Sequence, residues 1–484
     1  MFEITPIGFL VIPVSLYLLL RSKSTGLFYL FTLVAPFSAA TVFIIKGSKF
    51  GVPPAFFVGA VFIAAIIMKL GSSRHYHIAK TQKTFIFLIC VFWMIALISL
   101  LFPIILYCFN VSYQLFNPAF PDKDLQLPFL NYTITQFVYF TFFNLIAFAI
   151  MIEVDTIDKV CKCIKIFLYC SLFTVLWGVI VQYSSFYMKY DYPDWLFNNH
   201  PGYAQGFSQH IFIIPRICSV AQEPSVYGYY LTSVISITVI LWLNKLYIIN
   251  KTMLTAILLS LVLTTILTTS STAYIGLAVI ICMALMHYLH LDKILRFRII
   301  GPQLRLVKFL LLGLSLLIIV FLLGIRILQF DTEYMFSIIQ NITTQKASSY
   351  SGEERLETFK LGIKTLCDSY FIGTGWGSNR TFELGSTLLA NVGLAGFISF
   401  IAIVVYLNYY LVTYRKKCSQ LNNGLSTVIL SLQISFMSML VLMFVSIPDF
   451  VNCYYLLILG LILSLPKVVE NTMKKISVIR FTEA

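Results

Sequence analysis

The sequence predicts an all-α polytopic integral membrane protein, on three observations. Of its 484 residues, 59% are hydrophobic and only 11% are charged. A water-solvated globular surface needs about 25% charged residues, so lipid must face much of this chain. The apolar runs recur at lengths near ~20 residues, which is what a helix needs to cross a ~30 Å hydrocarbon core. Mean hydropathy is +0.88 and no polar stretch is long enough to fold as a separate domain, so residues 1–484 form one membrane domain.

About 13 spans (12–14) are expected. They fall near 5–20, 26–45, 52–69, 84–109, 133–153, 164–185, 226–243, 252–268, 272–289, 307–328, 385–413, 424–445 and 449–466. The net charge of +14 sits in short Lys/Arg clusters between these runs, the distribution of cytoplasmic loops beside anionic lipid rather than of a nucleic-acid surface. Lys80 and Lys83, Lys159 to Lys165, Lys293 to Lys308, Arg415 to Lys417 and the tail from Lys467 mark that inner side. The alternation puts the C-terminus in the cytoplasm and, for an odd count, the N-terminus outside. Met1-Phe2-Glu3 lacks the basic region of a cleavable signal peptide.

Three loops then lie outside: a Pro-rich one at 110–132, a second at 186–225, and a third at 329–384. Ten cysteines show no CxxC pair or zinc spacing. Cys218 and Cys367 fall in the two large loops, as a possible disulfide or as two unrelated thiols. The turn Thr268-Thr269-Ser270-Ser271 joins two short spans, and at membrane depth it must face protein or a water-filled cavity.

The second loop alternates aromatic and polar residues from Phe186 to Trp195. Tyr190, Tyr192 and Trp195 suit stacking on sugar rings, or belong to an interfacial aromatic belt. The loop ends in Arg216 and Glu223-Pro224-Ser225, with Pro at a first helical position. An outer arginine needs a local reason, either an acidic partner or a phosphate.

In the third loop, Ser351 and Glu354 read as a capping box. Leu356, Phe359, Ile363 and Leu366 share one face of the adjoining helix, which reads as amphipathic and lying on the membrane. It packs on the spans or presents Arg355 to an anion. Gly373-Thr374-Gly375-Trp376-Gly377-Ser378-Asn379-Arg380 allows close backbone approach or an anion-binding nest. Gly393 and Gly396 in the next span suit close helix packing. Arg326, about a turn inside its span, is a functional candidate or snorkels to the interface. His200 and His210 have no ligand spacing and are expected on the surface. Asp122-Lys123-Asp124 matches the short DxD pattern of some metal-dependent glycosyltransferases, a match that chance readily supplies.

Together, Arg216 with Glu223-Pro224-Ser225, the Ser270-Ser271 turn, Arg355, Gly373-x-Gly375-x-Gly377, and Gly393 with Gly396 resemble the O-antigen polymerase and ligase superfamily. Ligases carry a His-Asn pair where this chain has Phe382 and Glu383, which favours a polymerase. The resemblance implies polymerisation of undecaprenyl-diphosphate-linked oligosaccharide at the periplasmic face of a bacterial inner membrane. It implies no metal and no cofactor, and a chain-length regulator protein as a further partner. Charge developing on the lipid diphosphate needs cations, for which Arg216, Arg355, Arg380 and Arg326 are the candidates. The acceptor hydroxyl needs a base, first Glu223 and second Glu383. Trp376 joins the sugar-stacking candidates. A ligase and a lipid-linked-oligosaccharide flippase are the alternatives, although neither repeated halves nor midplane polar residues of the transporter kind are visible.

Overall fold

In the computed structural model, the described residues are 2–72, 78–117, 130–202, 209–211, 214–288, 350–420, 423–446, 450 and 452–482. Eight helices among them are long and apolar enough to cross a membrane, and four shorter apolar helices accompany them. The protein is therefore a helical membrane protein. The expected span 307–328, with Arg326, lies outside the described residues, as do the DxD segment and 329–349 of the third loop.

The chain opens with β1 (Phe2–Ile4), α1 (Pro6–Leu20) and α2 (Ser24–Val34). The span expected over 26–45 stops at Val34, because Pro36 comes next but one and cannot continue the helix. Its last residues instead form β2 (Phe43–Ile45), antiparallel to both β1 and β3 (Gly51–Val52). The sheet gives the non-helical backbone its hydrogen bonds.

Four helices come next: α3 (Pro54–Ser72), α4 (Lys80–Ser99), α5 (Phe102–Cys108) and α6 (Leu130–Glu153). Then α7 (Ile157–Leu176) passes through a π-helical stretch, Trp177–Tyr183, into α8 (Ser184–Met188), and α9 (Asp194–Phe197) lies beyond. The short strands β4 (His210–Ile211) and β5 (Ile214–Pro215) lead to α10 (Pro224–Leu243), α11 (Lys251–Leu267) and α12 (Ser271–Tyr288). The remainder comprises α13 (Tyr350–Asp368), α14 (Leu384–Ser419), α15 (Asn423–Val445) and α16 (Cys453–Thr482).

Helix α10 is the centre of the bundle, buried along nearly its whole length against α15 and α12. Small residues permit this: a Cβ on Gly228 would stand 2.7 Å from that of Ala273. The Thr232, Ser236 and Thr238 hydroxyls return to carbonyls of their own helix, so this polar face costs little in the apolar interior. The run expected to end at 466 continues as helix to Thr482 despite Pro466. Pro466 has no N–H to offer the Ile462 carbonyl, and the Tyr410 hydroxyl donates to it instead, at 3.3 Å.

One end of the bundle is basic. There the buried carboxylate of Glu153 accepts from Lys69 (2.8 Å), Lys159 (3.1 Å), Ser24 (2.7 Å) and Thr25. Nothing in the sequence marked Glu153 apart from its place at the end of an apolar run, close to Lys159.

The opposite end is organised by a break in α14. Gly393 has φ 66° and ψ −167°, so the helix stops and restarts there. The carbonyls of Ala390 and Asn391 accept from the amides of Thr374 (2.8 Å) and Gly375 (2.9 Å), and Leu394 N–H donates to Phe371 O (3.0 Å). Gly393 thus serves a backbone interlock, while the sequence suggested helix packing alone. A Cβ on Gly393 would meet the Phe371 carbonyl oxygen at 2.3 Å. In the same helix a Cβ on Gly385 would meet nothing nearer than Phe444 at 3.5 Å. Gly393→Ala should therefore cost at least about 2 kcal/mol and Gly385→Ala within about 0.5 kcal/mol. Thermal unfolding of both variants in one detergent checks the contrast, and equal melting points would refute it.

Candidate functional site

Helix α13 shows how the site end is built. The sequence put Leu356, Phe359, Ile363 and Leu366 on one apolar face of a helix lying on the membrane, and in the structure that face divides. Leu356 and Phe359 are exposed, whereas Thr358, Gly362, Thr365 and Leu366 are buried, against α14 and the 110s loop. Small side chains let the helices close together: a Cβ on Gly362 would lie 2.8 Å from that of Ser386. Thr365 Oγ1 donates to Gln114 O at 2.7 Å. The chain is already helical at Tyr350, the first described residue of this stretch, so Ser351 lies within the helix and not at its N-cap. The exposed Leu356 and Phe359 suit contact with lipid.

The glycine-rich turn does not form the anion nest that its spacing allowed. Its amides are spent inside the protein: Gly373 on Ser369 Oγ, Thr374 and Gly375 on α14, Trp376 on Ser99 Oγ, and Asn379 on Asn391 Oδ1. Positive φ at Gly373, Gly375 and Gly377 makes this path possible. The turn is a clamp, and it holds Arg380 at its far end.

Arg380 is anchored by its own N–H to Phe116 O at 2.7 Å. Its exposed side chain lines a cavity of ≈ 580 Å³ at the end of the bundle away from the basic cluster. Lys49, His200, Gln222, Gln136 and Asn452 share that wall with Phe56, Tyr139 and Tyr454. Two cations, three amides and an aromatic side suit an anionic ligand that also carries hydroxyl groups. A second, smaller pocket of ≈ 70 Å³ shares Arg380 and Gln136 with the first.

His200, expected on the surface, is buried. Gly202 N–H donates to its Nδ1 and its Nε2 faces Gly51 O, each at 3.1 Å, which fixes the neutral tautomer with the proton on Nε2. Burial also lowers its pKa. Both nitrogens are occupied, so His200 shapes the cavity and has no lone pair left for chemistry.

Arg216 is half-buried beside the polar turn, with Nε donating to Thr268 O (3.4 Å) and Nη1 to Gln209 Oε1 (3.1 Å). The turn itself is buried, as its polarity required. Glu223 caps α10 from an exposed position, accepts from Ser225 Oγ at 2.6 Å, and attracts Arg216 through space. Gln182, in the π-helical stretch, was not singled out by any sequence pattern. Its side chain accepts from Cys218 N (3.0 Å) and Ser219 N (2.7 Å) and donates to Arg216 O (3.2 Å), so it holds the arginine's loop. An inserted residue of this kind often marks a functional region. Cys218 and Cys367 are separate free thiols.

Arg355 lies 5.7 Å over the Phe382 ring, and Phe382 packs on Phe116. Glu383 caps the first half of α14, 9% exposed, and accepts from Ser386 Oγ. Burial pushes its carboxyl up to about 7, against the pull of the Thr381 hydroxyl and the Arg355 guanidinium. Glu383 and Arg355 are thus brought together, one turn of chain from Arg380, while Arg216 and Glu223 form a separate pair that adjoins the cavity through Gln222.

The aromatic candidates divide. Trp195 is 57% exposed, and Tyr190 is partly exposed with its hydroxyl on Val181 O. Tyr192 is tied to Trp177 and Asn198. Trp376 is 8% exposed and packed on Phe92, Phe140 and Phe450, so it forms a pocket floor rather than a free stacking surface.

No family model matches the chain, and no curated protein matches it.

The Glu383 carboxyl has a definite pH signature. Its folded pKa stands above the unfolded value, so the folded state holds the extra proton between about 4.5 and about 7. Stability then falls as pH rises through that window. The wild-type melting temperature should drop between about pH 5 and about pH 8, and Glu383→Gln should remove that part of the drop. An unchanged slope in the variant would show that Glu383 does not titrate there.

Proposed function

We propose that this protein is a membrane glycosyltransferase that polymerises lipid-linked oligosaccharide repeat units, working at the membrane face opposite the basic loops. The observation that carries the reading is the ≈ 580 Å³ cavity, with Arg380 and Lys49 among amide and aromatic walls. In this reading the growing glycan enters on undecaprenyl diphosphate. A hydroxyl of the next lipid-linked repeat attacks the anomeric carbon, the bond from that carbon to the diphosphate oxygen breaks, and undecaprenyl diphosphate leaves.

Arg380 and Lys49 offset the charge that develops on the leaving diphosphate. Arg216 extends the cationic surface past Gln222. The hydroxyl proton goes to a carboxylate: first Glu223, beside the cavity-lining Gln222, and second Glu383, whose raised pKa suits proton exchange near neutrality. In this reading the basic loops lie in the cytoplasm with the C-terminus, and the cavity opens to the periplasm.

One observation favours a flippase instead. Helix α14 is broken, as transporter helices are at their binding sites. Its freed carbonyls are consumed by the glycine-rich turn, however, rather than presented to a cavity.

Polysaccharide ladders on a gel separate these readings. Deletion of the gene should leave a single repeat unit on lipid A core. Full-length chains confined to undecaprenyl diphosphate would instead identify a ligase, and repeat units that never reach the outer face a flippase. Arg380→Ala should slow polymerisation about 100-fold or more and collapse the ladder. Wild-type ladder length in a correctly folded Arg380→Ala protein would remove Arg380 from the site.

A further inference from the structure

Asn379, which lines the smaller pocket, carries a buried hydrogen-bond donor that has no partner among the described residues. Asn379 is 1% exposed. Its Oδ1 accepts from Phe116 N–H at 2.8 Å, which fixes the orientation of the amide. Nδ2 therefore points the other way, buried and without a hydrogen-bond partner. An unsatisfied buried donor costs stability, so this one calls for an acceptor that the described residues do not supply.

The side-chain oxygen of the adjacent Asn391 is already taken. Asn391 is fully engaged, its Oδ1 accepting from Asn379 N (2.7 Å) and Ser378 Oγ (3.1 Å) while its Nδ2 donates to Asn379 O (2.9 Å). The ≈ 70 Å³ space has one apolar side, formed by Trp376, Phe140, Phe143, Phe450 and Leu388, and one polar side, formed by Tyr132, Gln136, Thr387 and Arg380.

A group that fits must be small, must bring an acceptor oxygen to Asn379 Nδ2, and must fill aromatic space with an apolar end. A hydroxyl supplies the oxygen and leaves the apolar space empty. A carboxylate or phosphate could pair with Arg380 on the polar side but would leave the aromatic side without an apolar group to fill it. An acetamido group has both parts, a neutral carbonyl oxygen and a methyl.

We infer that this pocket is the subsite for the acetamido group of an N-acylated amino sugar, with its carbonyl oxygen on Asn379 Nδ2 and its methyl against Trp376 and Phe140. This rests on the glycan reading above and narrows its substrate to a repeat containing such a sugar. The sugar ring would project past Gln136 and Arg380, which the two cavities share, into the larger one. Asn379 is then a binding residue that the sequence did not distinguish from its neighbours.

Saturation-transfer NMR on the full chain in lipid nanodiscs tests this, with the methyl glycosides of N-acetylglucosamine and of glucose as probes. The acetamido methyl should receive the strongest saturation. The N-acetyl glycoside should bind about five- to tenfold better than the glucoside, the worth of one buried hydrogen bond. Asn379→Asp keeps the acceptor for Phe116 N–H and loses the donor, and should abolish that preference. Retained preference in a folded Asn379→Asp protein would overturn the inference. Should that variant not fold, the wild-type comparison of the two glycosides decides alone. Equal saturation of both probes, or an acetamido methyl that receives none, would mean that the pocket holds only water. That overturns the subsite and leaves the glycan reading standing. Saturation of neither probe would overturn the subsite and count against the glycan reading as well.

Discussion

Helix α14 cannot run through Gly393, and the backbone groups released at that break must find partners where lipid offers none. The amides of Thr374 and Gly375 and the carbonyl of Phe371 supply them. This single interlock fixes the turn between α13 and α14, and with it the positions of Trp376, Asn379, Arg380 and Glu383. The Asn391 side chain adds a second fastening to Ser378 and Asn379. Arg380 is thereby held from both sides, by the clamp behind it and by Phe116 beside it. If Arg380 meets a diphosphate, as proposed, it gains from such preorganisation, because little reorganisation remains when charge develops.

The same logic recurs at the mouth of α10. There Gln182 leaves the regular helical ladder within the π-helical stretch and spends its amide on the loop that carries Arg216. At the basic end, Glu153 gathers two lysines and two hydroxyls and ties α2, α3, α6 and α7 together. These three polar knots sit at helix ends or breaks, where backbone and charge are hardest to satisfy, and the helices between them are mainly apolar packing.

The helices were legible in the sequence because a membrane core demands long apolar runs, and such runs are local. Boundaries shifted where a local rule met a distant partner. Pro36 ended α2 early, whereas Pro466 did not end α16, because Tyr410 on another helix replaced the missing donor. The glycine spacing was readable as a turn, but whether its amides were free depended on Ala390, Asn391 and Ser99, which no local pattern reveals. Glu153, Gln182 and the buried Asn379 Nδ2 escaped notice for the same reason. Each is ordinary in its neighbourhood and distinctive only by what lies across from it. Arg380 was named only as one of several cations that the resemblance called for, and its place on the cavity wall depends on Phe116 and the clamp behind it.

The most direct measurement is product formation by the purified chain in lipid nanodiscs, supplied only with an undecaprenyl-diphosphate-linked repeat unit and read by mass spectrometry. The account predicts glycans of two or more repeats on one lipid, with one undecaprenyl diphosphate released for each new bond. Intact substrate after prolonged incubation, from protein shown to be folded, would contradict it.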